Sequence, residues 1–288
     1  MKIGDIVTRR SYNNDIVFKI VDILEEGGQI KALLKGLEMR ILADAPIDDL
    51  KQVTQQELRE YRKVFIKKSN ECLTRIMYRR KLYMDSRGIT RSENDDEKDG
   101  FFNRPGKVLH IDGDEEYLEV CMNTYNSLGM DVVGQHIPEH VQPKMIEKLL
   151  VKHCPDILVL TGHDGYLNKS GEFTSLNSYR NSKYFVESVK KARRYEPSFD
   201  DLVIFAGACQ SFYEEILRAG ANFASSPHRV LIHCLDPVFI TEKIAFSPID
   251  RVISIQDIID STITGMKGIG GFVTRGKLRE GRPNSPYE

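Results

Sequence analysis

The chain has 288 residues, enough for one large domain and a small one. Its formal net charge of −1 gives no bulk electrostatic ground for nucleic acid or an anionic membrane as partner, and no apolar run approaches the roughly 18–20 residues of a membrane span. The opening Met1–Ile6 stretch has no apolar signal core, and five scattered cysteines without a CxxC pair argue against a zinc knuckle or disulfide framework and for a reducing compartment.

Short apolar runs between turns predict a small β unit over residues 1–55. The strands expected are Asp5–Arg9, Ile16–Ile23, Ile30–Lys35 and Met39–Ala43, broken by Gly27-Gly28 and Gly36. Such a pattern suits a curled antiparallel sheet, an SH3-like barrel serving as an adaptor or docking module. Residues 56–104 follow as a connector. Leu58, Tyr61, Val64, Phe65 and Ile66 give partial helical spacing, Arg75–Lys81 is a basic run read as an exposed helix face, and 85–104 is a polar linker.

From 105 to 288 strands and helices alternate, which predicts a parallel sheet with crossover helices. The expected strands are Lys107–Ile111, Asp131–Gly134, Ile157–Leu160, Leu202–Phe205 and Arg229–His233. Helices are expected through Leu118–Tyr125, Val141–Leu150, Tyr184–Ala192 and Phe212–Leu217. The pattern weakens beyond Pro237, to a helix near Phe239–Ala245, a strand at Val252–Ile255 and a helix through Ile258–Ile263. Gly268–Gly271 has glycine spacing but neither the preceding strand nor the Lys-Ser/Thr of a phosphate loop.

Functional groups in a parallel α/β sheet gather at the carboxyl ends of the strands. Two turns stand there: Thr161-Gly162-His163-Asp164-Gly165 and Ala206-Gly207-Ala208-Cys209-Gln210-Ser211. Each member alone has a plain reading, His163 as a turn residue and Cys209 as a buried small hydrophobe. Together, on consecutive strand ends, they make a thiolate–imidazole pair. A helix starting near Ser211 would favour the thiolate, and amides near Cys209 and Gly165 would hold an oxyanion. Cys121 and Cys154 read as structural. Asp112 and Asp114, after the first strand of this sheet, read either as helix N-caps or as carboxylates for a substrate Arg. Asp236 reads either as a third such carboxylate or as the start of an Asp-Pro turn. His233 and Cys234 are strand neighbours pointing to opposite faces, which argues against a zinc pair with Cys209. No metal or cofactor is required.

His163-Asp164-Gly165 and Ala208-Cys209 resemble the His-Gly and Ala-Cys blocks of the caspase/clostripain/legumain clan of cysteine proteases, with Asp164 as a departure. The separation, 209 − 163 = 46 residues, approaches the roughly 50 found in caspases. Over nearly its full length the chain resembles the YabG family, sporulation-specific proteases of endospore-forming bacteria that process spore coat proteins. The resemblance implies a caspase-like sheet behind the barrel, with Cys209 as nucleophile and His163 as general acid/base. It implies cleavage after Arg, or Lys, with self-processing, for which Arg87, Arg91 and Lys98 in the linker are candidate sites. It also implies synthesis in the mother cell and association with the forespore coat. Two readings stay open beside it: a Cys-dependent amidase whose histidine follows the cysteine (His228 or His233), and a non-catalytic coat-binding protein.

Overall fold

The computed structural model describes residues 1–26, 28–86, 102–167 and 173–281. Near the N-terminus, β1 (Ile6–Arg9), β2 (Phe18–Glu26), β3 (Gln29–Gly36), β4 (Leu42–Pro46) and β5 (Leu50–Gln52) form an antiparallel sheet in the order β4-β3-β2-β1-β5. Its inward alternation packs Val7, Phe18, Ile20, Ala32, Leu34, Ala45 and Leu50 into a core of their own. The strand expected at Met39–Ala43 differs. β4 starts only at Leu42, and Met39-Arg40-Ile41 leaves the sheet as a loop.

The connector is one 32-residue helix, α1 (Gln55–Ser86). Thr54 and Glu57 cap it reciprocally: the Glu57 amide donates to Thr54 Oγ1 at 3.2 Å and the Thr54 amide to Glu57 Oε2 at 2.8 Å. The basic run is not simply a solvated face, because Arg79 and Arg80 both pair with the buried Glu242. The candidate cleavage residues Arg87, Arg91 and Lys98 lie outside the described residues.

The second half contains β6 (Phe102–Arg104), β7 (Val108–Asp112), α2 (Glu115–Ser127), β8 (Val132–His136), α3 (Gln142–His153), β9 (Ile157–Thr161), α4 (Ser182–Tyr195), β10 (Val203–Ala206), α5 (Tyr213–Arg218), β11 (Phe223–Ser225), α6 (Asp236–Ala245), β12 (Val252–Ile253), α7 (Ile255–Ser261), β13 (Ile269–Gly271), β14 (Thr274–Arg275) and β15 (Arg279–Gly281). The central sheet runs β13-β11-β10-β9-β7-β8; it is parallel except for β13. Alternate residues of β7 feed two cores. Val108 faces the core shared with α1, α2 and α6, while Leu109 and Ile111 face that of α3 and α4. The protein is therefore a mixed α/β fold with a mostly parallel sheet between helices, preceded by an antiparallel sheet.

One expected strand is absent. Arg229–His233 is irregular, and the strand beside β10 is instead β11. The apolar run Val230–Ile232 packs without joining the sheet because its polar backbone has other partners. Ile232 N bonds a cysteine sulfur, and Ile232 O accepts from the loop between β3 and β4. Cys154 also departs from expectation: it is exposed at the end of α3, with a left-handed φ of 43°. No helix among the described residues is long and apolar enough to cross a membrane.

Candidate active site

The chain passes from β7 outward to β8 and then returns to the other side of β7 as β9. That reversal falls at the carboxyl ends of β7 and β9, the usual place for a site in an open α/β sheet. Asp112 ends β7 opposite Thr161 of β9. The His163 turn leaves β9, and the Cys209 turn leaves its other neighbour, β10.

Asp164 joins these two turns. Its Oδ2 accepts from Ser182 Oγ at 2.5 Å and Ser211 Oγ at 2.9 Å; its Oδ1 accepts from the Asn181 and Gly165 amides at 2.8 and 2.9 Å. Ser211 Oγ in turn accepts from Ala208 N at 2.9 Å. The residue that departs from the His-Gly pattern is thus the tie between the turns, not the orienter of the imidazole. Burial pushes its carboxyl above the ordinary value against the pull of these donors. Gly207 has a φ of 113°, and a Cβ there would meet Ser225 Oγ, so the β10 turn needs glycine. Gln210, directly after Cys209, also adopts a left-handed φ, of 57°.

His163 faces carboxylates. Its amide donates to Glu139 Oε1 at 2.6 Å, its Nδ1 lies 3.8 Å from the same oxygen, and its Nε2 lies 3.5 Å from Asp114 Oδ2. Nε2 is buried and makes no hydrogen bond among the described residues. Burial pushes Glu139 up, but its hydrogen bonds from His163 prevail and hold it below the ordinary carboxylate range. Glu139 reaches the turn by lying against Gly113 and Gly162; a Cβ on either would collide with its carboxyl. The Tyr117 ring packs 5.7 Å from the imidazole, centroid to centroid.

Cys209 is fully buried. Its sulfur accepts from Ile232 N at 3.2 Å and lies 3.9 Å from Ile232 O; it makes no hydrogen bond to His163 among the described residues. Burial pushes the thiol up to about 12, outweighing the Ile232 hydrogen bond and the nearby Arg40 charge. The helix expected near Ser211, α5, begins at Tyr213, two residues further on. The Gly165 amide is taken by Asp164, and Gln210 N donates to Val230 O and Ser226 Oγ.

The three candidate acidic residues have different surroundings. Asp112 is wholly buried and pairs with Arg40 of the β3–β4 loop, Nη1 to Oδ2 at 2.6 Å. Burial opposes its charge, yet Arg40 and His110 hold it far below the carboxylate range. Asp114 caps α2 by accepting from Tyr117 N at 3.0 Å, and also pairs with Lys35 at 2.7 Å. Asp236 lies in the first turn of α6 and accepts from Ile263 N at 2.7 Å and from the Thr264 hydroxyl. Burial raises it to about 6 against those hydrogen bonds. His233 stacks on Phe65 of α1 at 4.6 Å, and its Nδ1 accepts from Leu235 N at 3.1 Å. Burial, with Lys68 and Arg40 nearby, pushes it down to about 3. Cys121 sits within 3.3 Å of Arg40 Nη2 and of the Cys234 carbonyl.

Sequence reasoning missed Glu139, Tyr117 and Arg40. Glu139 carried the signal applied to Asp112, a carboxylate just beyond a strand end. Arg40 carried none, since it meets Asp112 across 72 positions.

Comparison with known proteins agrees with this chain-wide pattern. The profile of a family described as YabG peptidase U57 matches residues 2–283. The sporulation-specific protease YabG of Bacillus subtilis (strain 168) is 45% identical over 283 residues, covering 98% of each chain. The chain belongs to the YabG peptidase U57 family.

Proposed function

We propose that the protein is a cysteine endopeptidase that cleaves sporulation proteins, those of the spore coat among them, after Arg and less readily after Lys. The observation that carries this reading is the Asp164–Ser211 tie, which fixes the His163 and Cys209 turns to each other at adjacent strand ends. Cys209 Sγ attacks the carbonyl carbon of the scissile bond and gives its proton to His163. His163 Nε2 passes that proton to the leaving amine as the C–N bond breaks. Water, deprotonated by His163, then hydrolyses the thioester and returns the thiol. Glu139 holds the imidazole through its backbone amide and Nδ1 side. Asp112, as a buried carboxylate, pairs with the guanidinium of the substrate Arg. On this reading the parallel sheet works as a caspase-like scaffold, the N-terminal sheet as an SH3-like docking unit, and the enzyme processes its own linker. It would be made in the mother cell and act at the forespore coat.

The test compares wild type with Cys209→Ala, His163→Ala and His233→Ala on an Arg-containing protein substrate, with intact masses read alongside. Cuts after Arg by wild type and His233→Ala, and loss of about 1,000-fold or more in the first two variants, are expected. Undiminished cleavage by Cys209→Ala would overturn the reading. Loss in His233→Ala with activity kept in His163→Ala would favour the amidase-like arrangement.

A further inference from the structure

The β3–β4 loop reaches these strand ends in the manner of a bound substrate. Arg40 N donates to Ile232 O at 3.2 Å, Cys234 N donates to Glu38 O at 2.8 Å, and Met39 pairs with His233 as an antiparallel bridge. This is strand addition: backbone bonds to alternate residues of a receiving segment, with side chains left to fill pockets. The receiving segment is the one whose Ile232 bonds the Cys209 sulfur. The side chain that fills the pocket is an arginine. Arg40 is wholly buried on Asp112, with Nη2 also 3.3 Å from the Cys234 carbonyl, while its Nε makes no hydrogen bond among the described residues. The Tyr117 hydroxyl lies 2.5 Å from Gly36 O and 2.6 Å from Met39 O, fastening both ends of the loop entry.

We infer that the Glu38-Met39-Arg40 loop is an internal inhibitor, occupying the substrate groove with Arg40 in the place of the substrate's own Arg. The inference rests on the cysteine-peptidase reading and extends it. A loop serving only to brace the two sheets needs no arginine buried on the carboxylate that ends β7. One that blocks the groove needs that charge, on that carboxylate, with backbone pairing to the segment beside Cys209. The full chain is then latent until the loop is displaced.

The experiment measures initial rates on a fluorogenic peptide with a single Arg before the reporter. It uses the full chain as wild type, Arg40→Ala, Tyr117→Phe and Cys209→Ala, each checked for cooperative unfolding. Arg40→Ala is expected to start without a lag and about 10-fold or more faster than wild type. Tyr117→Phe, which keeps every charge, is expected to start about 3-fold faster; it decides the matter if Arg40→Ala does not fold. Folded variants no faster than an active wild type would overturn the inhibitor while leaving the peptidase standing. Equal turnover by wild type and Cys209→Ala would remove the peptidase reading and the inference with it.

Discussion

Residues 1–86 send arginines to two buried carboxylates of the parallel-sheet layer, Glu242 on α6 and Asp112 at the end of β7, and the two contacts are built differently. Glu242 receives Arg79 and Arg80 from one helix. Arg80 also donates to Leu128 O at 2.8 Å and lies over the Phe246 ring at 3.3 Å. Both arginines keep some exposure, 34% and 22%, so they can be hydrated in place. Asp112 receives one arginine, from a loop, with both partners at 0%. The first contact is a redundant brace between α1 and α6. The second rests on a single arginine, and removing it leaves a fully buried carboxylate without its cation. Similar charge chemistry thus holds a helix in one place and a loop in the other.

The largest effect should come from breaking the second contact in two steps. Arg40→Ala is expected to lose about 3–5 kcal/mol of stability, because the Asp112 charge is left buried. Adding Asp112→Asn should restore much of that loss while kcat/KM on Arg peptides falls about 100-fold from the Arg40→Ala level; thermal unfolding and steady-state rates read the two halves. Equal rates in the single and double variants would show that Asp112 is not the recognition carboxylate. Breaking the first contact by Glu242→Ala should cost about 2–3 kcal/mol yet leave kcat/KM of the folded enzyme unchanged. A matching loss of activity would mean that the brace is part of the site.

The two turns were legible in the sequence because each β strand before them is a continuous apolar run, as a strand buried on both faces must be. The placement of Asp112, His163 and Cys209 at or just past strand ends follows from that pattern. The Arg40 contact was not legible. Met39-Arg40-Ile41-Leu42-Ala43 reads as a strand by composition, and its departure from the sheet is set by backbone pairing with residues 232–234. Those residues were themselves misread as a strand for the same reason: Val230–Ile232 has the right composition, but its edge is taken by the loop and by Cys209. Phe223–Ser225, the true neighbour of β10, is too short and too weakly patterned to stand out. Glu139 depends on two glycines, Gly113 and Gly162, whose need is visible only once its carboxyl is placed beside them.

Smaller effects should sharpen the contrast between strand ends and scaffold. Glu139→Gln is expected to lower kcat about 10-fold with little change in stability, since it keeps an acceptor for the His163 amide but removes the charge beside Nδ1. Gly162→Ala should act in the same direction by displacing that carboxyl. A change confined to KM in either variant would contradict an orienting role. The smallest effect belongs to Asp236, whose carboxyl is raised to about 6 when folded. Such a group stabilises the fold fully below its ordinary value of 3.8, and that contribution fades as pH rises through about 6. Between pH 5 and 7.5 wild type should therefore lose about 1 kcal/mol, roughly 2 °C, relative to Asp236→Asn. A pH-independent difference would place the proton elsewhere.

The most direct test of the account is to map where a peptidyl-arginine chloromethyl ketone attaches, by mass spectrometry of the digested protein, in a Cys154→Ser background that removes the exposed thiol. One adduct is expected, on Cys209, forming faster in Arg40→Ala and lost in His163→Ala. An active enzyme that carries no adduct on Cys209, or that is labelled equally at Cys72, Cys121 or Cys234, would contradict it.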